Sequence, residues 1–214
     1  MQDKESYTMY YPYGKRIADV ILASVALIIF AIPMLLIALI ITTTSKGPAL
    51  FTQQRTGKGG KPFTLYKFRS MAAHNDATDG SKEDELTKIG AILRALSLDE
   101  LPQLINIVKG DMSFVGPRPW MTEYYKLMNR TQRKRNDVRP GITGLAQAHG
   151  RNSLTIHQKI AYDLEYVKHV SFLTDLHVLI LTVKALFAKK SNAVNLGKYG
   201  IHEELAELKK SNTK

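Results

Sequence analysis

Residues 20–41 read VILASVALIIFAIPMLLIALII, an apolar run with no charged side chain and with Pro33 near its middle. A helix needs about 20 apolar residues to cross the hydrocarbon core of a bilayer, so this run is long enough to enter a membrane. A proline inside a helix removes one backbone hydrogen bond and clashes with the preceding turn. The run therefore predicts a membrane helix that is broken near Pro33.

Both flanks of the apolar run are positive, which bears on how it meets the membrane. The flanking cations are Lys15, Arg16, Lys46, Arg55, Lys58 and Lys61. Because positive residues next to a membrane segment prefer the cytoplasmic side, two positive flanks predict a re-entrant hairpin that enters and leaves by the same face. A single-pass helix that tolerates its proline is the alternative, and the segment alone does not decide between them.

The composition limits the classes of partner. The chain has 214 residues, enough for one domain with its own core, and a formal net charge of +11. This charge indicates an anionic partner: nucleic acid, acidic lipid headgroups or a phosphate-bearing substrate. The chain has no cysteine, which excludes disulfide bonds and cysteine-ligated zinc. The histidines show no metal-ligand spacing, so zinc chemistry is not expected.

Outside the apolar run, the pattern predicts an α+β fold: a mainly helical domain with one small β-hairpin. Alternation over 49–54 and 62–68, with glycines between them, predicts the hairpin. Helical spacing recurs over 86–96, 101–108, 120–127 and 154–166. The strongly apolar stretch 172–187 carries three polar residues, which favours a core helix or an amphipathic helix in the membrane interface.

Three regions follow from this pattern. We expect a first region, 1–46, with the membrane helix, a main domain over 47–190, and a polar C-terminal tail over 191–214. The first region ends where the turn-rich residues after the apolar run begin a new pattern.

The stretch Ser97-Leu98-Asp99-Glu100 is the first candidate for chemistry. Its plain structural interpretation is a capping box, with Ser97 as N-cap and Glu100 three residues later. Pro102 then falls late for the first helical turn, so we expect the helix to begin at Asp99. In either register both carboxylates lie at the positive end of the helix dipole, where a phosphate also binds. An ionised carboxylate beside a phosphate site is what an acyl-phosphate intermediate requires.

Several cations could hold that phosphate. Arg118 and Arg139 are framed by proline and glycine, which aims a guanidinium rigidly at phosphate oxygens. On a strand, Lys67 and Arg69 would share one face. Arg94 lies on the helix just before the two carboxylates. Each of these could equally be a solvated surface charge.

Five stretches, taken in order, resemble the bacterial sugar transferase family, the monotopic phosphoglycosyl transferases that act on polyprenyl phosphate. The resemblance spans residues 13–188. The stretches are KRIAD at 15–19, YKFRSM at 66–71, SLDELPQL at 97–104, KGDMSFVGPRP at 109–119 and RPGITG at 139–144. The order and length of these motifs make the resemblance specific.

The resemblance implies a mechanism. Asp99 would attack the sugar-side phosphorus of a UDP-sugar, release UMP and keep a phosphosugar ester. Polyprenyl phosphate would then take the sugar phosphate and leave as polyprenyl-diphosphate-sugar. Glu100 would act as acid/base or as a metal partner, and Mg²⁺, held by Asp99 and Glu100, would offset the diphosphate charge.

The resemblance also implies the remaining roles and the location of the protein. The substrate-binding residues would be Arg94, Arg118, Arg139, Lys67, Arg69 and Gln147. Lys15, Arg16 and Pro33 would anchor the re-entrant helix, which the family favours over a single pass. The catalytic domain would lie on the cytoplasmic face of the bacterial inner membrane, in contact with phospholipids. Family members often have serine directly before the helix-breaking proline, whereas this chain has Ile32.

Two other functions compete with this hypothesis. A membrane-tethered nucleic-acid-binding protein would also explain the net charge, but it predicts aromatic residues among the cations, and the basic stretch 130–139 has none. A membrane scaffold without chemistry would give Asp99 no role. The identity of the sugar, the glycan pathway, the polyprenol length and the oligomeric state stay open.

Overall fold

The structure is a computed structural model that describes residues 10–72, 86–150, 153–188 and 201–211. Its first helix, α1 (Lys15–Thr44), follows a short turn at Tyr10–Gly14 and is 30 residues long. At 1.5 Å per residue, α1 measures about 45 Å. Pro33 lies inside α1, which continues through it to Thr44, so the break predicted near Pro33 is not observed. Within the described residues, α1 is the one helix long and apolar enough to cross a membrane.

Polar contacts fix the start of α1 to the rest of the protein. The Arg16 guanidinium donates to the backbone carbonyls of Ile107 and Val108. The Asp19 carboxylate accepts the backbone N–H of Phe114 at 3.1 Å. The partners of Arg16 and Asp19 are backbone atoms of the domain, so the position of α1 does not depend on the side-chain conformations of those partner residues.

Packing fixes α1 on both sides of Pro33. Ala23 and Ile41 are 0% and 1% exposed. Ala23 packs in a cluster with Phe63, Leu65, Leu104, Ile107 and Met112, and Ile41 packs in a second cluster with Phe68 and Leu93. Both halves of α1 therefore lie against the same domain.

The opposite face of α1 is apolar and exposed. Its exposed side chains include Ile21, Leu22, Val25, Ile28, Ile29, Ile32, Leu35, Leu36 and Leu39. An exposed apolar surface of this extent is typical of contact with lipid or with another protein.

The predicted hairpin is present. Strand β1 (Leu50–Thr56) pairs antiparallel with β2 (Pro62–Phe68), and a 3₁₀ turn at Lys58–Gly60 joins them. The register sets Phe51 opposite Lys67, Gln53 opposite Leu65 and Arg55 opposite Phe63. These residues alternate along each strand, so their side chains share one face of the hairpin.

Two short helices follow the hairpin. Helix α2 (Lys88–Ala95) begins at Thr87, whose hydroxyl accepts the backbone N–H of Gly90 at 2.9 Å. A 3₁₀ turn at Leu98–Glu100 leads to helix α3 (Gln103–Lys109). Helix α3 packs against α1 and β2, so the turn before it lies next to the hairpin.

A second, parallel strand pair aligns two loops. Strand β3 (Ser113–Val115) pairs with β4 (Gly141–Thr143). Gly116 and Gly141 pack so closely that a Cβ on Gly141 would lie 2.2 Å from the Gly116 nitrogen. Only glycine permits this approach, which fixes the loop that carries Arg118.

The remaining helices complete the domain. They are α4 (Thr122–Leu127), α5 (Arg130–Arg133), α6 (Leu145–His149), α7 (Ile156–Lys168), α8 (Phe172–Ala188) and α9 (Ile201–Ser211). Helix α8 exposes Phe172, Leu173, Leu176, Leu179, Ile180 and Val183. The region predicted as a polar tail contains α9, which buries Leu208 in a cluster with Tyr124, Ile156 and Ile160. The structure is thus mainly helical with small sheets, which confirms the α+β class.

A buried ion pair ties the Arg118 loop to α7. Arg135 and Asp163 are 1% and 2% exposed, and the Arg135 Nη2 and Asp163 Oδ2 atoms are 2.6 Å apart. The same Nη2 donates to the Arg118 carbonyl at 2.8 Å, and the guanidinium lies 3.9 Å from the centroid of the Trp120 ring.

We expect Arg135→Met to lower the free energy of unfolding by about 3–5 kcal/mol, because it leaves Asp163 buried without its cation. Arg133→Met is the matched control. Arg133 is exposed and contacts the Tyr125 ring from 4.9 Å, so its loss should cost about 1 kcal/mol or less. Denaturant unfolding of the purified proteins measures both values, and equal values would contradict the expectation.

Candidate active site

Asp99 and Glu100 lie in the 3₁₀ turn before α3, not in α3 itself. The predicted helix start at Asp99 is wrong, because α3 begins at Gln103 with Pro102 in the N-cap position. Pro102 has no N–H to donate, so it fits at the boundary of the helix. The capping box is not formed either. Ser97 has φ of 57°, in the left-handed region, and its side chain caps nothing.

Glu100 is held by two cations from other elements. Its Oε1 lies 2.8 Å from Lys67 Nζ on β2 and 3.4 Å from Arg118 Nη2 on the loop after β3. Burial on its own raises the pKa of Glu100, but the charges and hydrogen bonds of Lys67 and Arg118 outweigh it and lower the pKa to about 2. Glu100 is therefore ionised at any physiological pH.

Asp99 is in a different state from its neighbour. The residue is 7% exposed, and its carboxylate has no hydrogen bond or ion pair to any residue that the structure describes. Desolvation raises the pKa of Asp99, while nearby Lys67 partly offsets this effect and Glu100 adds to it. An unpaired carboxylate with a raised pKa is a stronger nucleophile than a paired one.

An open pocket lies beside Glu100 and its two cations. Its lining residues are Arg55, Leu65, Lys67, Gln103, Arg118 and Pro119. The hairpin, the start of α3 and the Arg118 loop each provide one side. Three cations in one concave surface favour an anionic ligand such as a phosphate group.

Three of the predicted phosphate-binding cations lie near the two carboxylates. Lys67 and Arg118 contact Glu100 directly. Arg94 is close enough to Asp99 to lower its pKa, and its Nε donates to the Ser70 hydroxyl at 3.0 Å. Residues from β2, α2 and the loop after β3 therefore meet at the turn that carries Asp99.

Three other predicted substrate-binding residues have partners elsewhere. Strand β2 ends at Phe68, so Arg69 does not continue the face of Lys67, and its Nη2 donates to the Ser45 carbonyl and hydroxyl. Arg139 Nε donates to the Gly110 carbonyl at 2.8 Å. Gln147 Nε2 donates to the Ile142 carbonyl at 3.1 Å. None of the three lines the pocket.

The predicted anchor residues are bound within the protein. Lys15 is buried and forms an ion pair with Asp175 of α8. Asp175 also accepts the Tyr166 hydroxyl at 2.6 Å. Lys15 is thus neutralised inside the protein rather than directed outward, because a buried ammonium needs a carboxylate partner. A lipid contact stays a prediction for Arg16.

Sequence reasoning missed two polar residues of the pocket, Arg55 and Gln103. Arg55 was assigned only to the positive flank of the apolar run. Its signal was present in the strand alternation: Arg55 lies an even number of residues from Phe51, which faces Lys67 across the hairpin. Reading that signal required the pairing register, which the turn length alone does not give.

Magnesium fits the carboxylates that are present. Within the described residues, no cluster of three or more His, Cys, Asp or Glu side chains could hold a metal ion. Mg²⁺ is commonly bound by one or two carboxylates together with substrate phosphates and water. Asp99 and Glu100 would supply the two carboxylates of such a site.

A family model described as bacterial sugar transferase matches residues 10–189. An uncharacterized sugar transferase EpsL of Bacillus subtilis is 42% identical over 82% of this chain and 88% of its own length. Two relatives named UDP-glucose:undecaprenyl-phosphate glucose-1-phosphate transferase are each 43% identical to this chain. The one from Caulobacter vibrioides matches 80% of this chain and 69% of its own length. The one from Klebsiella pneumoniae matches 83% of this chain and 41% of its own length. The chain belongs to the bacterial sugar transferase family and is a transferase.

The low pKa of Glu100 predicts a pH-dependent part of the stability. A folded-state pKa of about 2 against an ordinary 4.5 stabilises the fold above pH 4.5, and this contribution is lost as the pH falls toward 2. Wild type should therefore lose its stability advantage over Glu100→Gln across that range. Denaturant unfolding at a series of pH values measures the difference, and Glu123→Gln, on an exposed residue, is the control. A pH-independent difference would contradict the assignment.

Proposed function

We propose that this protein transfers a sugar 1-phosphate from a UDP-sugar to polyprenyl phosphate, with Asp99 as the nucleophile. The observation that carries this proposal is the contrast between two adjacent carboxylates. Glu100 is bound by Lys67 and Arg118, whereas Asp99 has no partner among the described residues. A reactive carboxylate must be unpaired yet surrounded by cations that accept the charge of a phosphate substrate.

The first step forms a covalent intermediate. An Asp99 carboxylate oxygen attacks the phosphorus that carries the sugar, and the bond from this phosphorus to the bridging oxygen breaks. UMP leaves with the bridging oxygen and the electron pair, so the sugar phosphate stays esterified to Asp99. Because negative charge develops on the leaving phosphate, nearby guanidinium and ammonium groups favour the step.

The second step releases the product. A phosphate oxygen of polyprenyl phosphate attacks the same phosphorus, and the bond to the Asp99 oxygen breaks. The carboxylate is restored and polyprenyl-diphosphate-sugar leaves. No water is consumed, so the intermediate must be protected from hydrolysis, which the 7% exposure of Asp99 supports.

The neighbouring residues have separate roles in this proposal. Lys67 and Arg118 hold Glu100 and extend into the pocket, where they neutralise substrate phosphate oxygens. Asp99 and Glu100 would hold Mg²⁺, which supplies positive charge against the diphosphate when it is bound. Glu100, with a pKa of about 2, suits a metal or electrostatic role better than proton donation at neutral pH.

The names of the relatives support the substrate class. Three further relatives are a UDP-N-acetylgalactosamine-undecaprenyl-phosphate N-acetylgalactosaminephosphotransferase of Aeromonas hydrophila, a galactosyl transferase CpsE of Streptococcus agalactiae and an exopolysaccharide production protein ExoY of Rhizobium meliloti. The first two names specify transfer of different sugars, and the third specifies exopolysaccharide production. We infer a first membrane step in exopolysaccharide or capsule assembly, with the sugar left open.

We further propose that α1 is re-entrant and that the catalytic domain faces the cytoplasm of a bacterial inner membrane. Contacts of one domain with Ala23 and with Ile41, on opposite sides of Pro33, support this topology. A helix that crossed a bilayer would carry one of its ends away from the domain. The apolar faces of α1 and α8 are the surfaces available to lipid.

Asp99→Asn should reduce UMP release from a UDP-sugar by about 10⁴-fold or more, because the amide cannot replace the nucleophile. With donor alone, intact-mass spectrometry should find a sugar-phosphate adduct on wild type and none on the variant. Asp137→Asn, on an exposed aspartate, is the control and should keep both. Normal turnover in Asp99→Asn would refute the covalent step.

The topology can be tested directly because the chain has no cysteine. Cysteines introduced singly at Tyr13 and Lys46, exposed residues at the two ends of α1, should both react with a membrane-impermeant maleimide in inside-out vesicles. Neither should react in intact spheroplasts. Lys134→Cys, on the exposed surface of the domain, reports the cytoplasmic side. Labelling of the two ends from opposite sides would show a single-pass helix.

A further inference from the structure

Arg55 and Lys67 lie on the same face of the hairpin and line the same pocket. Arg55 pairs with Phe63 in the register, and Lys67 pairs with Phe51, so both side chains project from one face. Gln103, the first residue of α3, also lines this pocket. Lys67 has Glu100 as its partner, and the other two residues have no role in the chemistry described above.

Arg55 is a partly buried cation that forms no ion pair with any residue the structure describes. Its guanidinium donates to Gln53 Oε1, and its Nε is buried without a hydrogen-bond partner among the described residues. Desolvation, followed by the charge of Arg118, lowers the pKa of Arg55 to about 10, so the side chain remains charged at neutral pH. A buried cation beside another cation is costly unless an anion is bound nearby.

Gln103 gives a second, independent sign of a ligand. The residue as a whole is only 3% exposed, and its amide makes no hydrogen bond to any residue in the described part of the chain. The amide atoms are not among the fully buried ones, so they are accessible from the pocket that Gln103 lines. The pocket therefore contains unused donors from Arg55 and from Gln103.

We propose that Arg55 and Gln103 bind a non-bridging phosphate oxygen of a substrate in this pocket. Both residues supply N–H donors. The positive charges of Lys67 and Arg118 are partly neutralised by Glu100, whereas Arg55 supplies a positive charge that Glu100 does not pair. The proposal rests on the proposed function. The donor diphosphate and the acceptor phosphate monoester have the same oxygen chemistry, and both meet Asp99 in turn.

The test measures initial rates for wild type, Arg55→Met, Arg55→Lys and Lys61→Met. Lys61 is exposed on the same hairpin, so Lys61→Met removes the same charge away from the pocket. Losing a charged hydrogen bond should raise the substrate KM about 10- to 100-fold in Arg55→Met, with a smaller change in kcat. Arg55→Lys keeps the charge but not the Nε donor and should give an intermediate value.

The two substrates are varied separately. A raised KM for the UDP-sugar assigns the site to the donor diphosphate, and a raised KM for polyprenyl phosphate assigns it to the acceptor. If both KM values in Arg55→Met stay within about twofold of those of Lys61→Met, the proposal is overturned. Gln103→Glu replaces the amide with a negatively charged group of nearly the same shape and should also raise the affected KM. Gln103→Met, which removes the amide without adding a charge, is its neutral comparison.

Direct binding separates this inference from the proposed function. If the KM values assign the site to the donor, calorimetry with UMP and with uridine should show that Arg55→Met weakens UMP binding and leaves uridine binding unchanged. If wild type binds UMP through Arg55 but transfers no sugar phosphate, the proposed function fails and the phosphate site stands. If wild type turns over and neither Arg55→Met nor Gln103→Glu changes a KM or the UMP affinity, the site fails and the function stands.

Discussion

The ion pair between Lys67 and Glu100 joins the hairpin to the turn that carries Asp99. The hairpin packs through Phe63 and Leu65 against Ala23 of α1, so an unbroken series of contacts connects the apolar helix with the proposed nucleophile. The position of a reactive group relative to the membrane is then set by packing rather than by a flexible linker. An enzyme that joins a water-soluble substrate to a lipid phosphate needs this fixed relation.

Electrostatic balance explains how two adjacent carboxylates acquire different chemistry. Glu100 takes the available ion pairs, and its pKa falls to about 2. Asp99 is desolvated and unpaired among the described residues, and its pKa rises. Cations remain in excess around the pocket, since Arg55 forms no ion pair with any residue in the described part of the chain. The phosphate-bearing ligand proposed for this pocket would supply the missing negative charge and so stabilise the arrangement.

Much of the fold could be predicted from local patterns, whereas the site was predicted only in part. The hairpin and the helices α2, α3 and α7 follow from alternation and helical spacing, which depend on residues close in sequence. The start of α3 was misplaced, because Pro102 and the left-handed Ser97 shift it to Gln103. Arg69 and Arg139 have backbone partners that no motif encodes. Arg55 was missed because its place depends on strand register, a long-range property.

The backbone at Ser97 gives the turn before Asp99 an unusual character. Among the described residues other than glycine, Ser97 alone has a positive φ. Serine holds this conformation at a cost of about 1–2 kcal/mol, whereas glycine would adopt it freely and would also loosen the chain on either side. A glycine at this position would therefore relieve the backbone cost and, at the same time, loosen the loop that holds Asp99 in place.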